Sequence, residues 1–138
     1  MQITLLRPQG LIHSPAFSHV AVVPAGAITI YVGGQNAVDA DGVLVGEADA
    51  VAQAEYAMQN VKTALAAAGA GVADVVQWTV LLVEGTDVGA VYGAIAADVA
   101  SEEPGLVTAA LVSALGLPGA LVEIAAIAAL VQEEGSDR

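Results

Sequence analysis

Residues 104–131 read PGLVTAALVSALGLPGALVEIAAIAALV, and Glu123 is the one charged residue in the run. Three architectures compete for it: a membrane span, a buried helix and a pair of buried strands. Residues 105–122 have the length to cross a bilayer, for which about 20 apolar residues suffice. Against that reading, Gly116, Pro118 and Gly119 interrupt the run, and no Lys or Arg flanks it to set an orientation. The halves 106–115 and 120–131 each have strand length, and Gly-Leu-Pro-Gly between them is a turn signal. The favoured reading is a hairpin of buried strands. Both strands are apolar on both faces, so both faces need cover. The chain's own helices can cover one face. The other needs more protein than the chain has left, which is a first hint of an oligomer.

The chain has 138 residues, the size of one domain with one core. Residues 1–131 are read as that domain and 132–138 as a solvated tail. Hydrophobic residues make up 57% of the chain with only five aromatics, so the core must be closely packed aliphatics. Three basic residues (Arg7, Lys62, Arg138) against fifteen acidic ones give a net charge of −12. That balance repels phosphate backbones and anionic membranes, so neither nucleic acid nor membrane is an expected partner. The absence of cysteine removes disulfides, thiolate catalysis and zinc–sulfur sites. No basic segment precedes an apolar stretch at the N-terminus, and a cytoplasmic location is the expectation.

Residues 2–6 form a short strand, followed by an irregular segment marked by Pro8, Gly10 and Pro15. Residues 17–23 and 27–33 read as two strands joined by a Pro24-Ala25-Gly26 turn. The DADG at 39–42 is a turn and not a calcium loop. With Gly42 at loop position 6, position 1 falls on Ala37, which offers no side-chain oxygen. Residues 47–68 form the strongest helix, with Val51, Ala54, Met58, Val61, Leu65 and Ala68 on one face. Glu47 and Asp49 suit its start, and Gly69 suits the position just past its end. Residues 75–83 are a strand with Val76, Trp78, Val80 and Leu82 on one face. Thr86 or Asp87 caps a second helix to about residue 100, with the stripe Val88, Val91, Tyr92, Ile95 and Val99. The order β-β-β-α-β-α-β-β indicates an α+β sandwich, a mixed sheet with two helices on one face.

For chemistry, Glu123 comes first. A carboxylate buried without a Lys or Arg partner has its pKa raised by desolvation, which suits a general acid or base. A carboxylate at an oligomer interface, bonded to backbone amides, fits the same residues equally well. His13 and His19 lack a third ligand at metal spacing, and neither Ser14 nor Ser18 sits in a nucleophile elbow. Gly33-Gly34-Gln35 ends a strand without the further glycines or Gly-Lys-Ser/Thr of a phosphate loop. It reads either as a bulge or as a place where a ligand approaches the backbone. Tyr31, Tyr92 and Trp78 are expected in the core.

Taken together, GGQ at 33–35, AEYAMQNVKTALAAAG at 54–69, DVVQWTVLLV at 74–83 and LPGALVEIAAIA at 117–128 resemble the Rid (YjgF) family over residues 13–131. The resemblance implies a chorismate-mutase-like α+β fold and a homotrimer. Its three sheets would form a central barrel, with ligand sites in the clefts between subunits. It also implies hydrolysis of reactive enamines and imines to 2-keto acids and ammonia, without metal or cofactor.

Residue by residue, the family's last-strand glutamate matches Glu123, which would activate the attacking water. The family's Ser-Gly-Gln matches Gly33-Gly34-Gln35, so a pocket serine is lost and the glutamine kept. The aromatic near the irregular segment matches Phe17, without a hydroxyl. An asparagine falls at Gly89, and Tyr92 is retained. The largest departure is the arginine that holds the substrate carboxylate, whose position falls at about Val107. No arginine lies anywhere between Arg7 and Arg138, so register cannot restore it. An aliphatic residue there should disfavour an anionic substrate. The expectation is an inter-subunit site acting on a non-carboxylate imine or enamine. The alternatives are a non-catalytic binding trimer and, against the charge, a ribonuclease.

Overall fold

The computed structural model describes residues 2–132, so the C-terminal tail beyond Gln132 lies outside the described residues. Its elements follow the expected order: β1 (Thr4–Leu6), β2 (Val20–Val22), β3 (Ile28–Gln35), α1 (Ala50–Ala67), β4 (Val75–Val83), α2 (Val88–Val99), β5 (Leu106–Val112) and β6 (Val122–Leu130), with a 3-10 turn at Val72–Asp74. β3, β6, β4 and β5 form a mixed sheet in that spatial order, and both helices lie on one face. β1 and β2 form a separate antiparallel ribbon.

Two expected hairpins are absent. β5 and β6 do not pair: β4 lies between them, parallel to β5 and antiparallel to β6. The cause is the crossover through α1, which sets β3 and β4 side by side but one strand apart. β6 fills that gap antiparallel to both, so both its edges are hydrogen-bonded. A β5–β6 hairpin would have left the gap open and its backbone groups unpaired. The second missing hairpin is β2–β3. The Pro24 turn does close, with the Ala27 N–H on the Pro24 carbonyl, but β2 already pairs with β1.

The helices are set by local chemistry. Asp49 caps α1 through the Ala52 N–H and Asp87 caps α2 through the Ala90 N–H, so α1 starts three residues later than the apolar pattern suggested. Gly69 takes a left-handed φ of 79° just past the end of α1. Ala54, Ala57, Met58, Val61 and Leu65 of α1 pack with Val91, Ile95 and Val99 of α2 onto Trp78, Val80, Leu82, Val122, Ile124, Ala126 and Ala128. The predicted stripes overreach at their ends, where Val51, Ala68 and Val88 are exposed. Lys62 pairs with Asp98 of α2 at 2.7 Å. Among the described residues no helix is long and apolar enough to cross a membrane.

Gln53 is fully buried in the first turn of α1. Its amide nitrogen donates to the Gly46 and Gly119 carbonyls at 3.1 and 3.2 Å, and its oxygen accepts from the Leu121 N–H at 2.8 Å. The turn before β6 is thereby fastened to α1. Gln53→Leu leaves three buried backbone groups unpaired. We expect it to cost about 2–4 kcal/mol in urea denaturation. A loss below about 1 kcal/mol would show that the turn is held by packing alone.

Candidate functional site

The glutamate singled out by sequence lies on β6 beside the end of β3. Side chains of β6 alternate, so Val122, Ile124, Ala126 and Ala128 face the helices while Glu123, Ala125 and Ile127 face the opposite, open side. Glu123 is thus half-buried on an uncovered sheet face and not sealed in the core. The bulge reading of Gly33-Gly34 holds. Val32 pairs with Ala126 and Gln35 with Ile124, so two glycines stand opposite Ala125. The bulge also carries Gly34 onto Glu123. A Cβ added at Gly34 would lie 2.5 Å from Glu123 Oε2 and 2.7 Å from its Cδ. Only glycine leaves the carboxylate room where it stands.

Two residues that sequence reading passed over hold this junction. Asn36, just past the bulge, donates to the Val122 carbonyl at 3.0 Å. Asn60 of α1 donates to the carbonyls of Asn36 and Val38 at 3.0 and 2.9 Å. The signal was an asparagine between Met58 and Val61 of the apolar face of α1. The Gln35 amide turns back onto the Gly33 carbonyl at 3.2 Å. Tyr31, expected in the core, is 77% exposed on the open face.

A second group of predicted residues meets elsewhere. Phe17, Tyr92 and Val107 line an open cleft of about 300 Å³ with Ala16 and Ala109. Burial raises the Tyr92 pKa, so its phenol stays protonated at neutral pH. Gly89 lies one turn before Tyr92 on the same side of α2 and is exposed. The Phe17 segment is pinned to the start of β5 by the Ser18 N–H on the Gly105 carbonyl at 3.1 Å. Gly105 fits because an added Cβ there would meet the Val76 carbonyl oxygen at 2.9 Å. Phe17 and His19 stack edge to face, and His19 Nε2 lies 2.7 Å from the Ile12 carbonyl oxygen. Arg7 Nε donates to the Phe17 carbonyl at 3.2 Å. Among the described residues no group of three or more His, Asp or Glu could hold a metal ion.

Within one chain the two groups do not meet. Val107 pairs with Trp78 and shares its helix-side face, whereas Glu123 pairs with Leu81 on the open face. Two strands, three residues along the strand and opposite faces separate them, about 14 Å from backbone to backbone.

The contact at Gly34 is directly testable. In Gly34→Ala the new methyl meets the mobile end of a side chain and no backbone, so the fold survives while the carboxylate moves. The expected result is a melting temperature within a few degrees of the parent together with a clear shift of the Glu123 carboxyl carbon resonance. An unmoved resonance would mean that the two residues are not in contact.

With this geometry in hand, the chain can be set beside known proteins. The family model described as Endoribonuclease L-PSP matches residues 11–130. The solved structure of YyfB of the conserved Rid protein family, from Yersinia pestis, is 33% identical over 94% of this chain and 100% of its own, with a TM-score of 0.80. The YjgF gene product of E. coli is 30% identical over 77% of this chain and 83% of its own, TM-score 0.63. RidA from the Antarctic bacterium Psychrobacter is 28% identical over 85% and 96%, TM-score 0.64. By the span of the family match and the identity to the Yersinia protein, this chain belongs to the Rid family.

Proposed function

We propose that the protein is a homotrimer with a small-molecule site between subunits, at which Glu123 activates water to hydrolyse a reactive enamine or imine. The observation that carries this is the split site. The carboxylate stands on the open sheet face, and the apolar cleft at the other edge of the sheet is lined by no carboxylate or histidine. A neighbouring copy that covers the open face can present its cleft to Glu123. The exposed Tyr31, with Ala125 and Ile127 beside it on the open face, gives that copy an apolar surface to dry.

The chemistry needs few parts. An enamine protonates at carbon to give its imine. Glu123 takes a proton from water as the oxygen adds to the imine carbon and passes it to nitrogen, which gives a carbinolamine; it then carries the hydroxyl proton to nitrogen as the C=O bond forms and the C–N bond breaks. A carbonyl compound and ammonia leave. Water is the only co-reactant.

Glu123→Gln keeps the shape but removes the base, and such groups contribute about 10²–10⁴-fold. Ammonia release from imines without a carboxylate, generated in situ by an amine oxidase, should fall at least about 100-fold, with the assembly unchanged in mass. Equal rates for both proteins would remove Glu123 from the mechanism.

A second reading, a binding trimer without turnover, is favoured by the Gln35 amide being engaged with its own strand and by Phe17 lacking a hydroxyl. It predicts ligand affinity with no ammonia release from either protein. The net charge of −12 argues against RNA as substrate.

A further inference from the structure

β6 carries Glu123, but the strand on its bulge side stops short of that residue. The β3–β6 ladder ends at Gln35 opposite Ile124, one residue before Glu123 is reached. We infer that Asn36 and Asn60 take over there, as positioning residues that aim the Glu123 carboxylate from the helix layer. Their role rests on the acid–base role proposed above for Glu123.

The connection has two links. The Asn36 side-chain amide donates to the Val122 carbonyl at 3.0 Å, and that carbonyl belongs to the peptide unit leading into Glu123. A side chain thus replaces the next ladder bond that β3 would have made. Asn60 of α1 then donates to the carbonyls of Asn36 and Val38 at 3.0 and 2.9 Å, one on each side of the buried Ala37. The Ala37 carbonyl between them accepts from the Val45 N–H at 2.7 Å, so the carbonyls of residues 36–38 are all engaged. On its other edge Glu123 is paired with Leu81 of β4.

Fixing the chain just past the bulge matters because the bulge cannot fix itself. Gly33 and Gly34 have wider backbone freedom than any other residue type. Gly34 also stands so close that a Cβ there would lie 2.5 Å from Glu123 Oε2, so a small drift of the bulge displaces the carboxylate or releases it. The near end of the bulge is set by Val32 opposite Ala126. Its far end is set by Gln35 opposite Ile124 and then by the two asparagines, the second of which belongs to a helix packed on the sheet. Neither asparagine lines the Phe17–Tyr92–Val107 cleft, so their effect on the reaction runs through Glu123.

The test is ammonia release from carboxylate-free imines, with Asn60→Ala made both in the parent and in Glu123→Gln. In the parent it should lower kcat about 10-fold with KM unchanged, because misplacing a reacting group by about 1 Å costs up to about 10²-fold and the cleft is untouched. In Glu123→Gln the same substitution should have no further effect, since the two residues act as one unit. The Glu123 carboxyl carbon resonance should also move in Asn60→Ala. If Asn60→Ala does not fold, Asn36→Ala, which removes a single bond, is measured in its place with the same expectations. A kcat equal to the parent's, an equal fall in both backgrounds or an unmoved resonance would each overturn the positioning role. The resonance is read without turnover. A shifted resonance in a protein that releases no ammonia would sink the hydrolase reading and leave the positioning of Glu123 standing, and an unmoved one in an active enzyme would do the reverse.

Discussion

Strand β6 must be dehydrated on both edges and both faces, and the rest of the molecule is arranged around that requirement. Its edges are met by β3 and β4, and its inner face by α1. Gln53 of α1 reaches past the sheet to fix the turn that feeds it. The outer face is left to Glu123, Ala125 and Ile127, which one chain does not cover. That uncovered face explains how a chain with 57% hydrophobic residues and a charge of −12 can be both strongly apolar and strongly repulsive. In the proposed assembly that apolar surface faces copies of the chain, and the charge keeps the assembly apart from other anions.

The site follows from two close approaches of backbone that only glycine permits. At Gly34 the β3 bulge comes up to the Glu123 carboxylate, and at Gly105 the start of β5 comes up to the backbone of β4. The first positions the Glu123 carboxylate, and the second fixes the strand that forms one wall of the cleft. Gly34 lies in β3 and Gly105 immediately before β5. Phe17, three residues before β2, is held against the sheet by the Ser18 N–H on the Gly105 carbonyl.

What could be read in the sequence was whatever repeats locally. Helical spacing located α1 and α2, the alternation of residues 75–83 located β4, and Asp87 was legible as a cap. Pairing was not legible. β6 is apolar throughout, so its pattern states no register and no partner, and the turn signal at Gly116–Gly119 records a reversal without saying that another strand lies between. Glu123 was found because charge is conspicuous in an apolar run. Its placement on an open face was not, since burial of a strand residue depends on which layer covers it. Tyr31 was misplaced for the same reason.

The account stands on Glu123 and the Phe17–Tyr92–Val107 cleft being brought together by neighbouring copies, and the mass of the assembly tests this most directly. Sedimentation equilibrium should give about three times the 13.6 kDa of one chain, with no monomer at micromolar concentration. A stable monomer would leave the acid–base group and the cleft apart, on opposite faces of one sheet, and would contradict the account at its centre.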